Sequence, residues 1–578
     1  MLDTKTIPSC YKIRANILCF CIFVIFSVLL YQLVCIQILD HNKYSSLAFS
    51  QQFKKQDIPT RRGLIFDRSG LKLAESIQVS SVFADPVFIK DKRNTAQAIS
   101  RVLGLNKIKV EELLNKNNRF VWLKRRIPDE QADVLRQLDL EGIGFRHEYK
   151  RVYPYEKLCS HVLGFTDIDE NGLEGIECSF NQVISGSKGS RVIEKDGRQR
   201  QFSTLQGETV PARYGNSVFL TIDCKIQSIV EDELENACLK WKPDSAVAIA
   251  MNPSTGEVLA MANYPSFNPN FVQASSPLER RNRAITDCFE PGSLIKPLIV
   301  SGALDSGLVK EDEQFFCHNG AYKVRSRVIR DVHSYNYLSV SDIIVHSSNI
   351  GMAQLGMRME KRKLYSYLKR FSFGEKTGIR LPGESKGIVR PLNLWSLDST
   401  ISVSFGYETA VTPLQLVTAF CSIANGGTLL KPQIVSKITD YSGKKVIKKY
   451  NTPERVRRVI SPEIARDVMS PILEDVVKEG TGKKAMLFTY SVAGKTGTAK
   501  KLQRVGDNTM RYSDKYIGSF VGYAPVDEPK ICVLVSLNEP KNGAYYGGTV
   551  AAPAVGNIIE RTLNYMEVGP QYVQMAQR

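Results

Sequence analysis

Histidine is scarce in this chain, six in 578 residues. His41, His147, His161, His318, His333 and His346 never stand at the short spacing of metal-ligand pairs. No metal is expected, and no cofactor. Cysteine is more plentiful, at twelve, but Cys159, Cys178, Cys224, Cys238, Cys288, Cys317, Cys421 and Cys532 form no Cys-x-x-Cys pair. They read as small buried hydrophobes, with no assignable disulfide. Internal repeats and low-complexity tracts are absent. The formal charge of +18 invites a nucleic-acid reading. Yet Lys and Arg are spread along the chain, clustered only briefly as in Lys361-Arg-Lys363, and no nucleic-acid fingerprint accompanies them. A basic exterior beside an anionic surface suffices, so no nucleic acid is expected as a partner.

Charge itself is missing from Ala15 to Leu39, a run long enough to cross a bilayer. Lys5, Lys12 and Arg14 precede it, which favours a cytoplasmic N-terminus. A cleaved signal peptide also starts basic, but this run is too long and no small-x-small site follows Leu39. The expected organisation is a cytoplasmic N-terminus over 1–16, a transmembrane anchor over 17–39, a mixed non-catalytic region over 40–211 and a larger domain over 212–578. Apolar residues at 43% and charged residues at 24% suit globular domains.

Within the mixed region, 107–116 is patterned as a helix, while 81–84 and 191–194 look extended. In the larger domain, 217–222 reads as a strand and 226–239 as a helix with apolar positions at Ile226, Ile229, Val230 and Leu234. Residues 246–250 and 258–262 flank the turn Asn252-Pro-Ser-Thr-Gly256, and 518–523 and 531–537 flank Pro525 to Pro529. Both are hairpin signals. A closing helix covers 551–565. Strands at both ends with helices between predict an α+β domain whose antiparallel sheet is completed by its first and last strands.

The chemistry centres on Ser293-Leu-Ile-Lys296, just after a Pro-Gly turn that can open a helix. Positions i and i+3 share a helix face, so an amine lies within reach of a hydroxyl. Serine needs a base at neutral pH, and lysine serves as one when its pKa falls. The spacing alone is weak, for Ser69/Lys72, Ser185/Lys188 and Ser366/Lys369 match it too. Two later elements lift it: Ser347-Ser-Asn349 and Lys495-Thr-Gly-Thr498. This ordered triple is the one established for penicillin-binding proteins and class A β-lactamases. Here Ser348 stands at the central position usually written Asp. On pattern alone, Ser347 and Asn349 also suit the cap of a helix starting at Ile350.

The likeness extends along nearly all the chain from residue 59. Pro59-Thr-Arg-Arg-Gly-Leu-Ile-Phe-Asp-Arg68, Arg151-Val-Tyr-Pro154 with His161 and Gly164, and Gly172-Leu-Glu-Gly-Ile-Glu177 resemble the membrane-proximal region of class B penicillin-binding proteins. Leu220-Thr-Ile-Asp223, residues 251–260, Pro265-Ser-Phe-Asn-Pro-Asn270 and Ala424-Asn-Gly-Gly427 resemble that family's transpeptidase domain. Arg281-Asn-Arg-Ala-Ile-Thr-Asp287, leading into Phe289-Glu-Pro-Gly-Ser293, is similar to the division-specific FtsI-type branch.

The resemblance implies a penicillin-binding/β-lactamase-like transpeptidase fold, with residues 40–211 as a pedestal. It also implies acyl transfer at the D-Ala-D-Ala bond of a peptidoglycan stem. Ser293 would attack, Lys296 would take its proton, and Lys495 would raise the neutral fraction of Lys296 by placing a second positive charge beside it. Ser347 would relay the proton to the leaving amine, and Asn349 would hold a substrate amide. Lys495, Thr496 and Thr498 would bind the terminal carboxylate, with Gly497 admitting the substrate backbone to the strand. The oxyanion hole would be the N–H groups of Ser293 and Thr498. Implied partners are stem peptides and their lipid-linked precursor, β-lactams, the membrane, and divisome proteins including a polytopic glycosyltransferase. The catalytic domain would face the periplasm from the inner membrane. The rival readings are a hydrolytic β-lactamase or carboxypeptidase, a β-lactam sensor, which would need a cytoplasmic output that so short an N-terminus does not offer, and the elongation-specific branch.

Overall fold

The computed structural model describes residues 9–195, 201–202, 209–325, 327–450, 452–505 and 509–571. Lys5 and residues 572–578, which the sequence reading used, lie outside them. The chain divides into two compact units, one of residues 1–60 with 187–213, the other of residues 61–186 with 214–578.

In the first unit the uncharged run lies within one helix, Ser9–Val34, and the π-helical turn Cys35–Leu39 that continues it. Together they give 31 residues, the most apolar 18 of which have a mean hydropathy of 2.7 and no buried residue. A second helix, His41–Gln52, follows. The strand Phe53–Ile58 then pairs antiparallel with Gly189–Lys195, so the interval to residue 187 is an excursion into the other unit.

The second unit is built on two sheets. The five-stranded sheet runs, edge to edge, Val258–Tyr264, Ser245–Met251, Ile531–Asn538, Thr509–Ala524 and Ala493–Val505, antiparallel throughout. Both expected hairpins are present, and they lie side by side through the pairing of Ser245–Met251 with Ile531–Asn538. Successive side chains of a strand face opposite ways, and the packing follows that period. Ala246, Ala248, Ala250, Val533 and Val535 pack with the helices Cys224–Trp241 and Ala552–Tyr565. Val247, Ile249, Met251, Cys532 and Leu534 face the other way, into the larger core with Lys296–Asp305, Asn349–Arg370 and Pro413–Ala424. Burial of both faces explains why these strands read as continuous apolar runs.

The seven-stranded sheet includes the strand Ser217–Leu220. On one side it pairs parallel with Ile65–Phe66, and on the other antiparallel with Val435–Thr439. This strand therefore does not join the five-stranded sheet. Its partners lie far away in sequence, where local patterning carries no information about pairing.

The resembling membrane-proximal motifs converge in one buried polar cluster. Arg62 and Arg151 each donate from Nε to Glu177 at 2.6 Å, and all three side chains are buried. Arg62 also donates to Asn181 Oδ1 at 2.7 Å and to the carbonyl of Glu177. Two cations against one fully enclosed carboxylate hold the Glu177 pKa below the ordinary carboxylate value despite burial. Asp67 ties the same segment to the Cys224 helix, accepting from the N–H groups of Ser69, Leu71 and Cys224.

Candidate active site

Gly292 follows Pro291 with a φ of +52°, and the chain then turns through a 3-10 segment, Gly292–Ile295, into the helix Lys296–Asp305. Pro297 falls in the first helical turn, where its missing N–H costs no hydrogen bond. Ser293 is half-buried at the head of this turn, and Lys296 is completely enclosed.

The Lys296 amine donates to the carbonyl of Ser347 at 2.6 Å, to Ser347 Oγ at 3.3 Å and to Asn349 Oδ1 at 2.9 Å. Residues more than fifty positions apart thus meet at one nitrogen. Among the described residues the Ser293 hydroxyl makes no hydrogen bond, so the resting amine is held by the Ser-x-Asn element. Catalytic hydrogen bonds commonly tighten only when substrate arrives. Burial drives the Lys296 pKa down to about 7, against the opposing pull of Asp331. Lys495, equally enclosed on its strand, is pushed well below the ordinary lysine value, first by burial and then by the Lys296 charge. At Lys296, then, the dominant cause is desolvation, where the sequence reading credited the second cation.

Ser347 sits at a φ of +58°, a backbone state costing a non-glycine residue on the order of 1–3 kcal/mol. Neither Ser347 nor Asn349 caps the following helix. Ser348 does so, accepting from the N–H of Gly351 at 3.0 Å while donating to Asp331 Oδ2 at 2.6 Å. Asp331 also accepts from the N–H groups of Asn349 at 2.5 Å and Ile350 at 3.1 Å. It fixes the Ser-Ser-Asn turn from outside. Sequence reasoning missed it, since a lone aspartate 18 residues upstream carries no spacing signal.

Lys495-Thr-Gly-Thr498 lies on the strand Ala493–Val505 and not in a turn. Thr496 Oγ1 shares a hydrogen bond with Thr481 Oγ1 at 2.7 Å, and Thr498 Oγ1 accepts from the N–H of Gly547 at 3.1 Å. A Cβ on Gly497 would come within 2.6 Å of Leu294 Cγ. Glycine there is required by the packing of the strand against the serine-bearing turn. All eight residues singled out in the three motifs therefore lie on the turn, the Ser-Ser-Asn loop and the strand. A groove of about 450 Å³ opens beside them, lined by Asn349, Arg330, Tyr407, Lys500 and Tyr512 among others. Among the described residues no group of three His, Cys, Asp or Glu side chains is arranged to hold a metal.

This fold, with an enclosed lysine following the serine and a second enclosed lysine on the edge strand, defines the penicillin-binding class of active-serine proteins. A family model described as "Penicillin binding protein transpeptidase domain" matches residues 246–560, and one described as "Penicillin-binding Protein dimerisation domain" matches residues 57–220. The chain belongs to the class B penicillin-binding proteins. It is 33% identical over 566 residues to the peptidoglycan D,D-transpeptidase FtsI of Escherichia coli K12, covering 96% of this chain and 92% of that relative. It is 34% identical over 561 residues to stage V sporulation protein D of Bacillus subtilis, covering 96% and 86%. Among solved structures, a peptidoglycan synthetase from Bifidobacterium adolescentis superposes with a TM-score of 0.72 at 26% identity, covering 90% of this chain and 98% of that one. Penicillin binding protein 3 from Mycobacterium tuberculosis, complexed with ampicillin, gives 0.69 at 26% identity, covering 89% and 97%.

Proposed function

We propose that this chain is a peptidoglycan D,D-transpeptidase of septal wall synthesis, cross-linking stem peptides through an acyl-enzyme on Ser293. Neutral Lys296 takes the proton as Ser293 Oγ bonds to the carbonyl carbon of the penultimate D-alanine. The peptide C–N bond breaks, and the leaving amine of D-alanine receives a proton through Ser347. The amine of a second stem then displaces Ser293. Asn349 orients the donor peptide amide, Lys495 with Thr496 and Thr498 holds the terminal carboxylate, and the N–H groups of Ser293 and Thr498 stabilise the oxyanion. Each such donor is worth about 2.7–4 kcal/mol of transition-state stabilisation. β-Lactams occupy the same site and acylate the same hydroxyl.

In this reading residues 1–16 are cytoplasmic, 17–39 span the inner membrane, 40–211 form the pedestal and 212–578 the periplasmic transpeptidase domain. A septal role brings divisome proteins, including a polytopic glycosyltransferase, to the pedestal. The family relationship to the FtsI transpeptidases supports the branch. The observation that carries the chemistry is the convergence of the buried Lys296 amine on Ser347 and Asn349.

Labelling with a fluorescent penicillin tests it. The expected result is a stable adduct mapped to Ser293, abolished in Ser293→Ala and strongly slowed in Lys296→Ala. Rapid turnover of the penicillin without a trapped adduct would make the enzyme a hydrolase instead.

A further inference from the structure

A second groove, of about 570 Å³, runs beside the first and shares Glu408, Lys500 and Tyr512 with it. Its floor is the stretch just before the nucleophile. Phe289 and Val411 exchange N–H···O bonds at 3.0 Å, and Gly292 donates to Gly406 at 3.1 Å. A Cβ on Gly406 would fall 2.1 Å from the Gly292 carbonyl oxygen, so the two backbones are in direct contact. Glu290 and Glu408 lie inside this paired stretch, Glu290 three residues before Ser293 and Glu408 on the segment paired with it.

The two carboxylates differ. Glu408, at a φ of +61°, is paired with Arg390. Its left-handed backbone turns its own N–H onto Glu290 Oε1 at 2.7 Å, which also accepts from the Tyr512 hydroxyl at 3.1 Å. The other oxygen, Glu290 Oε2, is buried and has no hydrogen-bond partner. Among the described residues no cation stands in ion-pair range of it. The cations lining this groove are engaged elsewhere, Arg390 with Glu408, Lys500 with Asp514 and Lys501 with Glu539. Burial holds the Glu290 carboxyl above the ordinary range in spite of its two donors. A half-buried carboxylate with one oxygen unpaired favours a ligand that brings hydrogen-bond donors and positive charge.

We propose that this groove is the entry for the second substrate and that Glu290 binds the ammonium group of the acceptor stem. The proposal rests on the acyl-transfer reading and adds the residue that selects an amine over water. The ammonium gives one proton to the Glu290 carboxylate, leaving a neutral amine and a carboxylic acid. The amine nitrogen bonds to the acyl carbon, the ester C–O bond to Ser293 breaks, and the second nitrogen-bound proton passes to the serine oxygen. Release of the Glu290 proton to solvent restores the site.

The test uses the full-length protein in detergent with an N-acyl-D-alanyl thioester donor. D-Alanine serves as amine acceptor and D-lactate as the matching hydroxyl acceptor, and transfer is read as a ratio to hydrolysis of the same acyl-enzyme. In Glu290→Gln the ratio for D-alanine is expected to fall about tenfold, the loss of one charge-assisted contact, while the ratio for D-lactate stays put. Tyr512→Phe, which keeps the carboxylate but removes one anchor, is expected to shift the D-alanine ratio in the same direction by less. An unchanged D-alanine ratio in both variants, or equal losses for both acceptors, overturns the assignment. If wild-type protein forms no adduct with penicillin at Ser293, the failure belongs to the acyl-transfer reading and not to the groove.

Discussion

The ammonium of an ordinary lysine titrates near 10.4, far too high to leave a useful base at neutral pH. Complete enclosure changes that for Lys296, because its charged form loses hydration that two neutral oxygens and one carbonyl replace only in part. With its pKa at about 7, the amine is protonated and inactive as a base below that value and neutral above it. Penicillin acylation should therefore rise with pH through a limb centred near 7 and level off beyond it. Acylation rates measured from pH 5 to 9 check this, and a flat profile through that range would remove Lys296 from the role of base.

At the same scale the sequence was legible only where a motif existed. Ser293, Lys296, Ser347, Asn349 and Lys495 stand in short patterns whose order is informative. Asp331 and Glu290 stand in none. A carboxylate acquires meaning from what it faces, and Asp331 faces the Ser-Ser-Asn turn only because the strand Arg327–Arg330 delivers it there. Gly497 was legible as a residue that permits close approach, but the body it approaches is Leu294.

Among elements, the cluster of Arg62, Arg151 and Glu177 joins the Ile65–Phe66 strand region, the end of the strand Ile143–Val152 and the short helix Gly175–Ser179. Removing one partner of a buried ion pair leaves uncompensated charge, and the usual cost is about 3–5 kcal/mol. Glu177→Gln preserves shape and removes the charge facing two enclosed guanidinium groups. A drop of that order in unfolding free energy by denaturant titration is expected, with the Ser293 site still open to penicillin in the folded fraction. A variant as stable as wild type would show the cluster to be dispensable.

The hairpins 246–262 and 518–537 were readable because their apolar runs and turns are local. The strand Ser217–Leu220 was readable as a strand but not as a neighbour of Ile65–Phe66. Parallel pairing across some 150 residues depends on which faces remain uncovered after the rest has folded. No window of sequence contains that.

For the whole molecule, the helix Ser9–Leu39 exposes apolar side chains along its length, with Phe23 at 70% and Tyr31 at 69% accessible. Surface of that kind is satisfied by lipid. Deleting residues 1–39 should move the protein from the membrane fraction to the soluble fraction while the Ser293 adduct with penicillin still forms. Retention in the membrane fraction would mean that a second attachment exists.

Taken alone, the order of residues determined the apolar helix, the short apolar strands with their turns, and the three motifs that mark out the chemistry. These are properties of near neighbours, and side-chain type at a fixed spacing is enough to specify them. Tertiary structure decided the rest. It set which strands meet, which carboxylates look into the grooves, and above all how Lys296 and Lys495 ionise. A proton equilibrium responds to hydration and to charges in three dimensions, and those exist only once distant segments have closed around the amine.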